Sequence, residues 1–188
     1  KPLTPQQVDQ QEAAERLLRI VQEAADFYHD RLLNGRDAEI AREYLRKRGL
    51  SQETIEAFQI GYAPNDWRAA MQHLQMLGYA TEDILEAGIA THNEEKNTTY
   101  DRFRHRLMIP IRDGRGQTVG FGARALDPNE RAKYINSPQG PLFDKSSILF
   151  GLDRARRAIR ETETAVIVEG YMDVMQAHQA GFENVVAQ

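Results

Sequence analysis

From Thr4 to Gly88 the apolar positions recur three and four residues apart, the spacing of one buried face of an α-helix. Thr4-Pro5-Gln6-Gln7 reads as a capping box with proline in the first helical position. Leu17, Leu18, Val21, Ala24, Ala25, Tyr28 and Leu32 carry the stripe forward until Asn34-Gly35 ends it. A second helix is expected over about residues 37–48, with Ile40, Ala41, Tyr44 and Leu45 inward and Gly49 as its stop. Ser51 opens a short third helix. Asn65 or Asp66 caps a fourth, with Trp67, Met71, Leu74 and Leu77 inward and Gly78 beyond it, and a fifth runs from Thr81 to Gly88. The methionines and aromatic residues here, Trp67 included, read as core.

The period then changes. Leu107-Met108-Ile109-Pro110-Ile111 and Thr118-Val119-Gly120-Phe121-Gly122 are strand-like and flank Asp113-Gly114-Arg115-Gly116, a hairpin turn. Tyr134-Ile135 and Ile148-Leu149-Phe150 read as short strands in a loop-rich basic stretch, and residues 153–161 as a helix. Ala165-Val166-Ile167-Val168 is a continuous apolar run, which predicts a strand buried on both faces as in a parallel sheet. A helix over about residues 171–180, Gly181 and the strand-like Val185-Val186-Ala187 complete a βαβ unit. One such unit does not close a three-layer sheet, so the reading expects a fragment cut within a domain.

Composition narrows the chemistry. The 188 residues contain no cysteine, which excludes a disulfide scaffold, a cysteine-ligated zinc site, an iron–sulfur cluster and a thiol nucleophile within the chain. No apolar run approaches the roughly 20 residues that span a bilayer, and residues 1–15 are too polar for a signal peptide. A soluble, cytoplasmic protein without a membrane partner is expected. The net charge of −4 argues at first sight against nucleic acid, but it is unevenly distributed. Residues 102–160 hold 13 basic and five acidic side chains, a local +8 that leaves −12 for the rest. Such segregation points to a surface facing a polyanion.

The sharpest local motif is Glu169-Gly170-Tyr171-Met172-Asp173-Val174, directly after the apolar run. Ligands of open α/β sheets gather at the carboxyl ends of strands, where Glu169 would stand. Gly170 permits a tight strand-to-helix turn, and Asp173 in the first helical turn can point back toward the same crevice. Two such carboxylates suit a divalent cation; equally, Asp173 suits a helix N-terminus through the dipole while Glu169 is a solvated strand end. Arg124 ends the glycine-rich run Gly120-Phe121-Gly122-Ala123, whose small residues let a ligand or another backbone approach. Lys133, Asn136 and Lys145 lie in extended or loop segments where side chains meet phosphates, or stand as ordinary surface groups. No nucleotide-binding P-loop, zinc-protease or serine-hydrolase motif is present. His29 and His178 sit on amphipathic helices, where packing is the simpler role.

Seven segments together carry a family resemblance. They are Tyr44-Leu45-Arg46-Lys47-Arg48-Gly49-Leu50, Ile60-Gly61-Tyr62-Ala63-Pro64, Tyr100-Asp101-Arg102-Phe103-Arg104-His105-Arg106, Ile109-Pro110-Ile111-Arg112, Gly120-Phe121-Gly122-Ala123-Arg124, Lys133-Tyr134-Ile135-Asn136-Ser137-Pro138 and the Glu169–Val174 motif. In this order they resemble the RNA-polymerase core of bacterial replicative DNA primases of the DnaG type, from about residue 24 to 188. The segment from Ala165 resembles the opening of a Toprim domain, a metal-binding α/β module shared with type IA and type II topoisomerases.

The resemblance implies an α+β fold. Residues 1–160 would form the N-terminal subdomain of the core, helical over 1–88 and basic and β-rich over 89–160, and residues 161–188 a truncated Toprim domain. It implies Glu169 and Asp173 as catalytic and metal-binding residues, with Glu169 either assisting deprotonation of the attacking hydroxyl or ligating metal. Arg48, Arg124, Lys133, Asn136, Lys145 and Gly170 match nucleotide-binding positions, and Arg102, Arg104 and Arg106 match positions suited to template or RNA–DNA duplex. The implied cofactor is Mg²⁺ or Mn²⁺, with zinc outside this chain. The implied partners are single-stranded DNA, ribonucleoside triphosphates, an RNA–DNA hybrid and, through regions outside this chain, the replicative helicase. The family's Asp-x-Asp pair is expected after Gln188, so the chain alone is expected to be inactive in primer synthesis. Another Toprim enzyme, a topoisomerase or nuclease, and a non-catalytic nucleic-acid-binding module are the alternatives.

Overall fold

The computed structural model describes residues 4–188; the first three residues of the expected helical region lie outside the described residues. Helix α1 (Pro5–Asn34) starts at the expected capping box, in which Thr4 Oγ1 accepts from the Gln7 amide and Gln7 Oε1 accepts from the Thr4 amide. Leu17, Ile20, Val21, Ala24, Ala25, Tyr28 and Leu32 form its buried stripe. A 3₁₀ turn (Arg36–Ala38) leads into α2 (Glu39–Lys47), and α3 (Gln52–Ala57) is capped by Ser51, whose side chain accepts from the Thr54 amide.

Strand β1 (Gly61–Ala63) precedes α4 (Ala69–Met76), α5 (Thr81–Glu86) and a two-stranded hairpin of β2 (Ala90–Asn93) and β3 (Thr98–Asp101). The long hairpin β4 (Arg106–Arg112) and β5 (Thr118–Ala125) follows, then β6 (Tyr134–Asn136). These make an antiparallel sheet in the order β1-β4-β5-β6. Register assigns the two faces, because residues opposite one another share a side. Met108 pairs with Ala123 and Pro110 with Phe121 on one face; Leu107 pairs with Arg124, Ile109 with Gly122 and Ile111 with Gly120 on the other. The first face packs against α1, α4 and α5 around Tyr28, Leu74, Ile84 and Phe103. The second packs against α2, α3 and the C-terminal unit around Leu45, Tyr62, Phe143, Met172 and Met175.

That unit comprises α6 (Leu152–Thr162), β7 (Val166–Val168), α7 (Tyr171–Gln179) and β8 (Val185–Ala187), with β7 and β8 parallel. It shares the second core with the antiparallel sheet.

Several sequence expectations are corrected. Strand β7 is not buried on both faces: Ile167 is 64% exposed and Val166 is also exposed, because among the described residues β7 pairs only with β8, and α6 and α7 pack against β8. The expected strand at residues 148–150 reduces to an isolated bridge, Phe150 exchanging hydrogen bonds with Ala187. Ile40 is 43% exposed, since the buried stripe of this segment runs through Ala38, Ala41 and Leu45. Trp67 lies before α4, not on it, and is 60% exposed; Leu77 caps the far end and is also exposed. Neither Asn65 nor Asp66 caps α4. The amides of its second and third residues, Ala70 and Met71, donate to the buried carboxylate of Asp101, which arrives from β3.

Candidate active site

The polypeptide leaves β7 through Glu169-Gly170 and enters α7 at Tyr171. A side chain at Gly170 would crowd the Asp173 carboxylate, so the glycine leaves that carboxylate free to lie back over the turn. Glu169 and Asp173 are both exposed and line one cleft of about 430 Å³. The turn after α2 brings Arg48 to the same cleft, β6 brings Asn136, and the 3₁₀ turn Lys145–Ser147 brings Lys145. Phe143, Phe150 and Tyr171 form its apolar wall. Six of the expected residues, Arg48, Asn136, Lys145, Glu169, Gly170 and Asp173, therefore converge from four separate segments of the chain. The result is a concave site with two carboxylates, two cations and an amide, polar groups suited to a phosphate-bearing ligand.

Arg124 stands one step behind. Its position opposite Tyr134 on β6 puts it on the cleft face of the sheet, and its guanidinium lies 4.4 Å from the centre of the Tyr44 ring. Arg48 approaches the same ring at 5.7 Å, so Tyr44 has two cations over its π system. Tyr134 lines the cleft beside them; burial raises its phenol pKa, while Arg124 and Arg48 pull in the other direction. Lys133 does not line the cleft. It is exposed, one residue before β6 and out of phase with Asn136.

The three arginines after β3 divide by role. Arg106 is buried, and its Nη1 donates to the carbonyls of Ala123 (3.3 Å), Ala132 (3.0 Å) and Lys133 (3.4 Å), stitching the loop before β6 to the sheet. Arg102 donates through Nη2 (2.9 Å) and Nε (3.3 Å) to the carbonyl of Asn136. Arg104 is half-buried: its Nη1 donates to the carbonyl of Asp101, and its guanidinium lies 3.9 Å from the centre of the exposed Trp67 ring and 5.2 Å from that of Tyr100. An aromatic residue next to a helical stripe carries the same sequence signal as one on it, which is why Trp67 reads as core without the fold.

The glycine-rich strand does not leave room for a ligand. A Cβ at Gly120 would meet Phe143 and Ser137, and one at Gly122 would overlap the Tyr171 ring, so cleft-wall aromatics occupy the space the glycines provide. Tyr171 donates its hydroxyl to Asn136 Oδ1 at 2.7 Å. Burial, with Tyr134 nearby, pushes its phenol up to about 12, so it is a protonated donor at neutral pH. His29 and His178 take packing roles, each with a ring nitrogen on a backbone carbonyl, of Ile60 and Val185 respectively.

Comparison with known proteins agrees with this architecture. The family described as DNA primase catalytic core, N-terminal domain matches residues 27–156, and a Toprim domain matches residues 163–188. A DNA primase of Deinococcus radiodurans is 48% identical over 147 residues, covering 78% of this chain and 26% of that protein. The RNA polymerase domain of Mycobacterium tuberculosis primase DnaG, solved with a double-stranded DNA oligomer bearing a 6-nucleotide overhang, has 40% identity and a TM-score of 0.87 over 93% of this chain and 54% of that one. A DnaG primase catalytic domain bound to single-stranded DNA has 39% identity and a TM-score of 0.83 over 94% and 56%. The chain spans about a quarter of the length of the curated relatives it matches. With the α+β core, the βαβ unit after it and the seven motifs all in family order, the chain belongs to the bacterial DNA primase family of the DnaG type.

Proposed function

We propose that the cleft holds the incoming ribonucleoside triphosphate of a DNA-templated RNA polymerase that makes primers for replication. The observation that carries this reading is the convergence of Arg48, Asn136 and Lys145 on the Glu169–Asp173 pair. In the reaction a primer 3′ oxygen attacks the α-phosphorus and pyrophosphate leaves. Arg48 and Lys145 hold phosphate charge, with Arg124 steadied on Tyr44 behind them. Asn136 supplies amide hydrogen bonds, and Gly170 keeps the turn low enough for the ligand and the Asp173 carboxylate to approach.

Glu169 and Asp173 are the groups that would hold Mg²⁺ or Mn²⁺. Among the described residues no set of three or more His, Asp or Glu is grouped closely enough to cage an ion. Two carboxylates on an open cleft fit a cation that takes its remaining ligands from phosphate oxygens and water. Such a cation neutralises charge on the phosphates undergoing transfer.

Single-stranded DNA and the nascent RNA–DNA hybrid are proposed to run along the basic half of the chain. Arg104 with the exposed Trp67 and the half-buried Tyr100 supports this, since a cation beside an exposed aromatic ring suits a base or a phosphate. Arg102 and Arg106 serve the same surface by holding its backbone. The same reading has the chain divide near residue 160 into a core subdomain and a Toprim unit, work in the cytoplasm and meet the helicase through other parts of the protein. Among the described residues no helix is long and apolar enough to cross a membrane.

The test is replacement of Glu169 by Gln and of Asp173 by Asn in the complete primase. Loss of primer synthesis with DNA binding retained is expected. Undiminished synthesis by both variants would show the cleft to be a non-catalytic binding surface.

A further inference from the structure

Asn136 is held at both of its carbonyl groups. Arg102 grips the backbone carbonyl from one side, through Nη2 at 2.9 Å and Nε at 3.3 Å. Tyr171 donates to the side-chain carbonyl at 2.7 Å from the other. The ring of Tyr171 is itself fixed. It lies over Gly122, the residue paired with Asn136 across β5 and β6, and meets Phe150 edge to face with centroids 4.9 Å apart. One aromatic contact and a missing Cβ thus determine where one hydroxyl points.

The consequence is chemical. An asparagine side chain offers one carbonyl acceptor and two amide donors. With Oδ1 engaged by Tyr171, the Nδ2 donors are the groups left for the cleft. This polarity rests on the geometry, in which the Tyr171 hydroxyl donates to Oδ1 at 2.7 Å. Tyr171 also opens α7 directly after Glu169-Gly170, so the hydroxyl ties β6 to the acidic turn.

We propose that Tyr171 is a positioning residue that orients Asn136 as a donor, selecting an acceptor oxygen (phosphate or sugar) of the nucleotide in the cleft. The inference rests on the nucleotide reading of the cleft given above and adds to it the group that sets the polarity of Asn136. Removing the hydroxyl while keeping the ring frees the amide to rotate and present either end.

The experiment titrates the complete primase with ATP and excess Mg²⁺, comparing the unsubstituted protein, Tyr171→Phe, Asn136→Ala and the double variant. Tyr171→Phe is expected to weaken binding about fivefold to tenfold, the range of one net hydrogen bond. In the Asn136→Ala background the same change is expected to add nothing, because the hydroxyl acts only through Asn136. In ¹⁵N spectra the Asn136 side-chain amide shifts in Tyr171→Phe before nucleotide is added, while the backbone signals of Gly122 and Phe150 stay in place. Thermal melting confirms that the retained ring preserves the fold. If Asn136→Ala weakens binding and Tyr171→Phe does not, or if their effects add fully, the positioning role is overturned and the nucleotide reading stands. If the unsubstituted protein binds no ATP, or Asn136→Ala binds as well as the unsubstituted protein, the assignment of Asn136 to a nucleotide site falls and the inference falls with it.

Discussion

Gln176 on α7 donates its Nε2 to the backbone carbonyl of Arg48 at 2.8 Å, joining residues 128 apart in sequence. Gln179, one turn later, donates to the Gly49 carbonyl and accepts from the Ser51 amide, both at 2.8 Å. The turn that presents Arg48 is therefore latched to the helix that presents Asp173. Gln179→Ala removes two exposed hydrogen bonds and is expected to cost about 1–2 kcal/mol, read as a lower denaturant midpoint. Because the latch sets the distance from Arg48 to the acidic turn, ATP affinity should fall in the same variant. Unchanged affinity would show that Arg48 is positioned by α2 alone.

Two glycines make close approaches of different kinds. At Gly61 a Cβ would meet the backbone of Tyr28 in α1, and at Gly122 it would meet the side-chain ring of Tyr171. A ring on a helix start can shift, whereas a helix backbone cannot without moving the packed stripe around it. Gly122→Ala is expected to cost about 1–3 kcal/mol and to displace the Tyr171 hydroxyl from Asn136. Gly61→Ala should be the more destabilising, with loss of cooperative melting as its extreme. Equal melting temperatures for the two variants would contradict this ordering.

Arg104 and Arg106 are two residues apart and differ in burial and in how many backbone carbonyls they hold. Arg106→Ala leaves three backbone carbonyls without their shared donor inside the fold, and a loss of about 2–4 kcal/mol of stability is expected. Arg104→Ala gives up one hydrogen bond to the Asp101 carbonyl and two aromatic contacts and is expected to cost about 1 kcal/mol, less than Arg106→Ala, while weakening single-stranded DNA binding. The slope of its logarithmic salt dependence should fall by about one counterion. Melting curves and salt titrations of the two variants separate these outcomes.

Asp101 gives the chain a specific pH response. Its carboxylate is buried between β3 and the start of α4, and burial lifts its pKa from 3.8 to about 6 despite the amides of Ala70 and Met71 that favour the ionised form. Between about 3.8 and about 6 the folded chain holds a proton that the unfolded chain has released. Stability attributable to this group therefore falls as pH rises through that window, and the cost persists above it. The size is on the order of 2–3 kcal/mol. Asp101→Asn abolishes this slope and gives up one of the two caps. Denaturation at about pH 4 and about pH 7 should show the unsubstituted chain losing more stability than the variant over the interval. Parallel pH profiles would refute the assignment.

Much of this molecule is legible without coordinates, but the legible part is local. The Thr4 capping box, the Ser51 cap and the β4–β5 turn are set by groups within four residues of each other, so spacing alone locates them. The resemblance carried by seven motifs likewise needed only their order. Where the reading went wrong, the deciding partner was remote. Trp67 faces outward because Arg104 and Tyr100 arrive there from β3 and the loop after it. The cap of α4 comes from Asp101, 31 residues from Ala70, and not from the neighbouring Asp66. Strand β7 has a parallel-core sequence and an exposed surface, because burial depends on what packs against a strand and not on the strand.

The site follows the same division. Motif order and family resemblance single out the candidate groups: the Glu169–Asp173 pair, the cations at 48, 124 and 145, and Asn136. Tertiary structure alone decided where they stand. It placed Arg48, Lys145 and Asn136 on the acidic turn, left Lys133 outside the cleft and set Arg124 behind it on Tyr44. It also engaged Arg106 and Arg102 with backbone carbonyls, while the glycine strand received the rings of Phe143 and Tyr171. The reason is that a side chain's charge is a property of its sequence, whereas its partners are fixed only when strands of different registers and distant turns close over a shared core.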